Sequence, residues 1–146
     1  MTTYVSVREE QIEFLEDALT VALQAKYAES SPIATRDLSR DPQTFLPEEL
    51  PRLLILEGYR KKVDPECFMY QLALTLVLIV RTSEVFEDQL HTGYELERWM
   101  DTFLPTLNRS GITVVQVEGQ STNIQYGERE VILSYEATLI YVEGRY

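Results

Sequence analysis

Cysteine occurs once in these 146 residues, at Cys67, and histidine once, at His91. A single cysteine excludes an internal disulfide framework, and one cysteine with one histidine cannot complete a structural zinc site. The six glycines are scattered, without the clustering of a phosphate-cradling loop. No acidic spacing matches a calcium-binding loop. Lysine is scarce as well. It supplies three of thirteen basic residues, against 24 acidic ones, for a net charge of −11. A chain this acidic, with no concentrated basic patch, is repelled by phosphate backbones, so sequence-specific nucleic-acid recognition is not expected.

Long apolar runs are also missing. The most apolar stretch, "YQLALTLVLIV" (Tyr70–Val80), lies in an uncharged segment bounded by Glu66 and Arg81. That is too short for a membrane-spanning helix, which needs roughly 20 residues. Tyr70, Leu72, Leu74, Leu76, Leu78 and Val80 alternate with Gln71, Ala73, Thr75, Val77 and Ile79. One face is fully apolar and the other turns apolar toward the end, which predicts a central, covered β-strand. No membrane partner is expected. The opening "MTTYVSVREEQ" lacks a basic region followed by an apolar one, so no secretory signal is expected, and with the single cysteine this points to the cytoplasm.

What is present fits one α+β domain over 1–146. Apolar content of 45% and charged content of 25% are ordinary for a globular chain long enough to bury a core. A helix is predicted from Val7 or Arg8 to Tyr27. Ser6 and Glu9 are spaced as a capping box, and Ile12, Leu15, Ala18, Leu19, Ala22 and Leu23 form its apolar stripe. The following segment, 28–51, is polar, carries four prolines and holds at most a short strand near Ile33 to Leu38. Segments of this length without a strong element are often functional.

"PRLLILEGY" predicts a strand ending near Gly58, with "RKKVDPE" as the turn into the apolar strand. A second helix is expected from about Tyr94 to Leu107, burying Leu96, Trp99, Met100, Phe103, Leu104 and Leu107. Asn108 to Gly111 stops it. "ITVVQVEG" and "REVILSYEATLIYVEG" read as a closing strand pair joined through "QSTNIQYGE". The order is helix, strand pair, helix, strand pair. It implies a mostly antiparallel sheet with two helices packed on one face and a partly polar opposite face.

Catalytic signatures do not emerge. Cys67 and His91 sit in no nucleophile motif, and with 24 carboxylates no one pair stands out. Trp99 and Met100 lie at core spacing. Ten of the basic residues are arginine, and there are nine tyrosines. Arg and Tyr are the residues of protein interfaces, so the residual signal points to assembly.

The layout resembles the tail terminator proteins of long-tailed bacteriophages, the minor tail protein U group. An N-terminal amphipathic helix is followed by a Pro-rich loop and "FLPEELPRLLILEGY". The long apolar strand, the "YELERWMDTFLPTL" helix and a final "SYEATLIYVEG" strand complete it. The resemblance implies a structural virion protein without enzymatic activity or cofactor. It would form a homohexameric ring that caps the head-proximal end of the tail tube and stops its polymerisation. Its implied partners are further copies of itself, the tail tube protein, a head-completion or neck protein and, in a contractile tail, a sheath protein. DNA would pass through the lumen without sequence-specific contact. The protein would be assembled in the host cytoplasm and reside in the virion tail. No family motif fixes the contacts, so candidates for the subunit or tube interface come from composition: Arg36, Asp37, Arg40 and Asp41 in the long loop, with Tyr126 and Arg129 in the second hairpin. The alternatives are a head–tail connector, the cap of a contractile injection machine, and a small enzyme or ligand-binding domain.

Overall fold

The computed structural model describes residues 7–27, 34–35, 50–64, 66, 68–108 and 116–143. Helix α1 spans Val7–Tyr27, strand β1 Ala34–Thr35, β2 Arg52–Asp64 and β3 Met69–Arg81. Helix α2 spans Phe86–Phe103 and runs into a 3-10 turn at Leu104–Leu107, before β4 (Gln116–Tyr126) and β5 (Glu130–Val142). The strands form one sheet in the order β1-β2-β3-β5-β4. Every neighbouring pair is antiparallel except β1 with β2.

The β3–β5 pair is the spine. It keeps unbroken register from Met69 opposite Val142 to Arg81 opposite Glu130. Because side chains alternate, register alone assigns the faces. Leu72, Leu74, Leu76, Leu78 and Val80 share one face with Val131, Leu133, Tyr135, Leu139 and Tyr141, and all are buried. Both helices cover this face. Helix α1 contributes Ile12, Leu15, Leu19 and Leu23, and α2 with its 3-10 turn contributes Leu96, Met100, Leu104 and Leu107. Each fully buried aliphatic side chain is worth roughly 1.5–3 kcal/mol relative to exposure, which is why the two stripes dictate the docking. The expected α+β arrangement is therefore observed.

The opposite face is divided. Near the start of β2 a second apolar cluster of Leu50, Leu54, Val77, Ile79 and Ile132 is buried. Further along, the face is polar, with Glu118, Gln120, Glu136 and Lys61 exposed.

Several boundaries differ from the sequence reading. Strand β2 does not end near Gly58. It continues to Asp64 across a register shift between Glu57 and Arg60, so Arg60, Lys61 and Lys62 are strand residues and not a turn. Their alternation is hidden because a bulge resets the period. Helix α2 begins at Phe86, eight residues earlier than expected, and places His91 within the helix instead of in a connection. Most of "QSTNIQYGE" belongs to β4, and the connection is only Gly127 to Arg129. Of the residues 33–38, only Ala34 and Thr35 are described, as β1. Ser6, Cys67 and Gly111 lie outside the described residues.

The tyrosines divide as well. Tyr135 and Tyr141, at 2% and 0% exposure, are core residues rather than interface residues, whereas Tyr59 is 80% exposed. Arg8 reaches Glu57 Oε1 through Nη2 (2.8 Å) and Nε (3.0 Å), and the Val7 N–H donates to Glu143 Oε1 at 3.1 Å. These contacts fix the start of α1 against β2 and the end of β5. At its other end, Lys26 pairs with Glu95 of α2.

Candidate assembly surface

Of the sequence-derived interface candidates, Tyr126 and Arg129 fall at one corner of the molecule. Arg36, Asp37, Arg40 and Asp41 lie outside the described residues. The corner joins the β4–β5 turn, the loop 82–85 and the first turns of α2. Local chemistry builds it. The Gly127 N–H donates to the Glu130 carbonyl at 2.8 Å, closing the turn, and the Thr82 N–H donates to the Arg129 carbonyl at 2.8 Å, joining loop to turn. Ser83 opens the helix. Its Oγ accepts from the Val85 N–H at 3.2 Å and donates to Asp88 Oδ2 at 2.7 Å. Glu87 and Asp88 in the first turn suit the positive end of the helix dipole.

Gln89 ties these pieces together. It is buried, and its Nε2 donates to the carbonyls of both Ser83 and Glu128 at 3.0 Å. A buried amide that donates to two backbone acceptors from separate segments holds both in place, since the amide left without its acceptors would carry a desolvation cost. Gly93, one turn further along α2, allows the helix to approach β4. A Cβ there would stand 2.9 Å from Ile124 Cγ2 and 3.3 Å from the Tyr126 hydroxyl.

This braced frame presents apolar side chains to solvent. Val85, Phe86 and Tyr94 are 55%, 57% and 60% exposed. Phe86 packs edge-on against Tyr126, with ring centroids 5.5 Å apart. Desolvation first, then the neighbouring Tyr94 and Glu97, push the Tyr126 pKa upward. Arg129 pairs with Glu84 at 2.5 Å on the rim, and the same carboxylate raises the Arg129 pKa. An aromatic cluster on a rigid frame with a charged rim has the anatomy of a protein contact, in which large side chains with few rotamers lose little entropy on docking.

Sequence reasoning named Tyr126 and Arg129 but not Phe86, Tyr94 or the brace Gln89, which the structure places at the same corner. The signal for Tyr94 was present. Once the helix starts at Phe86, Gln89, Gly93, Leu96 and Met100 form its buried stripe, and Tyr94 falls outside it.

Two hollows indent the polar part of the opposite face. One, of about 260 Å³, is lined by Glu118, Gly119, Gln120, Glu136 and Thr138. The other, of about 250 Å³, is lined by Tyr59, Lys61, Gln71, Ala73 and Thr138. Among the described residues, no three His, Cys, Asp or Glu side chains are grouped so as to hold a metal ion. No helix among them is long and apolar enough to cross a membrane. No protein-family model matches the chain, and no curated protein matches it.

Proposed function

We propose that this chain is a structural virion protein of a long-tailed bacteriophage, a tail terminator. It assembles as a hexameric ring on the head-proximal end of the tail tube, stops tube growth and offers the surface to which the neck joins. The observation that carries the reading is the braced aromatic corner of Phe86, Tyr94 and Tyr126, set on an α+β chain whose order of elements resembles that family. A corner stiffened by Gln89 before any partner arrives is suited to repeated contacts, because little of the binding free energy is lost to ordering it. The acidic composition supports the same reading. A ring of chains each carrying −11 repels DNA from its walls and lets a genome slide through.

Native mass spectrometry over a wide range of concentration, alone and with added tail-tube protein, tests the proposal. A discrete hexamer, or tubes capped and shortened in electron micrographs, is the expected result. A chain that stays monomeric and leaves tube length unchanged overturns it. Reversing the charges of Arg36 and Arg40 is expected to weaken capping while the fold persists.

A further inference from the structure

The aromatic corner sits in a concentration of negative charge. Between Thr82 and Asp101 the sequence places Glu84, Glu87, Asp88, Glu95, Glu97 and Asp101 against a single arginine, Arg98, and no lysine. The β4–β5 turn adds Glu128 and Glu130 against Arg129. Arg129 is already taken up by Glu84, and Glu95 by Lys26 of α1. Glu87 and Glu97 form no ion pair among the described residues.

Helical spacing sets one of these carboxylates beside the rings. Phe86, Leu90, Tyr94 and Glu97 follow one another at intervals of four, four and three, which is a single stripe down α2. The stripe borders the end of β4. Phe86 meets the Tyr126 ring at 72°, with centroids 5.5 Å apart. After desolvation, Tyr94 and Glu97 are what push the Tyr126 pKa upward, which places both beside it. Two rings at a steep angle, a third ring and a carboxylate therefore gather at one end of β4.

Ring faces attract cations, and a nearby carboxylate adds a full charge to the attraction. Elsewhere the fold meets this demand internally. Lys26 lies 5.5 Å from the Tyr27 ring centroid, Arg60 4.1 Å from that of Tyr70 and Lys62 4.5 Å from that of Phe68. At the corner, no cation among the described residues stacks on Phe86, Tyr94 or Tyr126.

We propose that the corner receives an arginine side chain from a basic segment of a partner protein, seated against Phe86, Tyr94 and Tyr126 with Glu97 as its counter-charge. Arginine fits better than lysine. Its planar guanidinium stacks on rings while its N–H groups reach a carboxylate, and it is the more weakly hydrated cation. The surrounding carboxylates draw a basic segment in and reject an acidic one. Two copies meeting corner to corner would set carboxylate against carboxylate, so the occupant is a different, basic protein. The proposal rests on the reading of this corner as an assembly contact and specifies the chemistry of what it contacts.

The test titrates the full chain with the peptide acetyl-Gly-Arg-Leu-Arg-Gly-amide, following the aromatic side-chain resonances by NMR. A second peptide replaces both arginines by citrulline, which has nearly the same shape and no charge. The arginine peptide is expected to shift the resonances of Phe86, Tyr94 and Tyr126 saturably, and the citrulline peptide to bind about tenfold more weakly or less. Glu97→Gln is expected to weaken the arginine peptide about fivefold and leave the citrulline peptide unchanged. Tyr94→Phe should retain the binding that Tyr94→Ser loses, since the ring face and not the hydroxyl is what the cation meets. Equal binding of both peptides, no saturable shift with either, or arginine binding undiminished in Glu97→Gln overturns the arginine site and leaves the assembly reading standing. Glu97→Gln is also carried into the tube-capping assay. Charge-selective binding with parental capping in that variant supports the arginine site and overturns the corner as the terminator's contact.

Discussion

The Tyr135 hydroxyl, on strand β5, donates a 2.7 Å hydrogen bond to Asp101 Oδ1 on helix α2. Tyr135 is itself buried and Asp101 exposed, so the bond runs from the core outward along the helix–sheet seam. Removing the hydroxyl deletes a bond to a charged acceptor without opening a large cavity. Tyr135→Phe is expected to lower unfolding stability by about 1–2 kcal/mol. Asp101→Asn, which keeps an acceptor, is expected to cost less. Urea denaturation checks both, with the midpoint shifted and the slope unchanged.

The same tyrosine belongs to an alkaline weakness. Burial raises the pKa of Tyr27, Tyr135 and Tyr141, with Glu95 adding to the effect at Tyr27 and Asp101 at Tyr135. In the folded chain these phenols keep their protons at pH values where the unfolded chain, titrating near about 10, releases them. The unfolded state then binds fewer protons, so stability falls as pH rises. The contribution is fully present below about pH 10 and is lost as the pH climbs toward the folded-state values. Phenolate absorbance, followed with circular dichroism from pH 8 upward, is expected to rise first for exposed tyrosines such as Tyr59 and Tyr94 with the fold intact, and the last phenols are expected to ionise together with its loss. Complete titration of all nine phenols while the fold persists would contradict it.

Gly119 in β4 lies beneath the Tyr135 ring. A Cβ there would stand 2.3 Å from Tyr135 Cε1 and 2.8 Å from the Glu136 carbonyl oxygen. The ring covers a glycine that adds no side chain of its own, an arrangement that pins the pairing of an edge strand. Gly119→Ala is expected to destabilise by about 1–3 kcal/mol through overpacking, although alanine is otherwise the better residue in a strand. Chemical denaturation measures it. A neutral result would mean that the Tyr135 ring swings aside freely, and it would then also loosen the bond to Asp101.

The sequence was most legible where one period ran undisturbed. Helix α1 occupies Val7–Tyr27 as expected from its stripe, and β3 follows its alternation to Arg81. It was least legible where two signals conflicted. The shift between Glu57 and Arg60 breaks the alternation of β2, and three basic residues beside Asp64-Pro65 then imitate a turn. The start of α2 was missed because its cap is backbone and loop chemistry around Ser83, with no side chain of Val85 to announce it. Tyr126 and Arg129 could be chosen by residue type alone. Gln89 could not, because what distinguishes it is two carbonyls, of Ser83 and Glu128, separated from one another along the chain.

If the aromatic corner is the proposed assembly contact, folding and assembly can be separated by measurement. Phe86 and Tyr94 each keep more than half of their surface in solvent, so replacing them removes little that the fold uses. The double variant Phe86→Ser with Tyr94→Ser is expected to unfold within about 0.5 kcal/mol of the parent per site. If these rings anchor a partner, losing them costs about 2 kcal/mol or more in binding, roughly thirtyfold or greater in affinity. Gln89→Ala should behave in the opposite sense. It removes the hydrogen bonds that tie the Ser83 and Glu128 carbonyls to α2, so it lowers stability directly and weakens assembly only as a consequence of a loosened frame. Thermal unfolding beside a tube-capping assay distinguishes the two variants. The first should fail to cap at a temperature where it is fully folded, and the second should regain capping as the temperature is lowered. Capping by the aromatic double variant at parental concentration would move the contact elsewhere on the molecule, away from the corner formed by α2 and the β4–β5 turn.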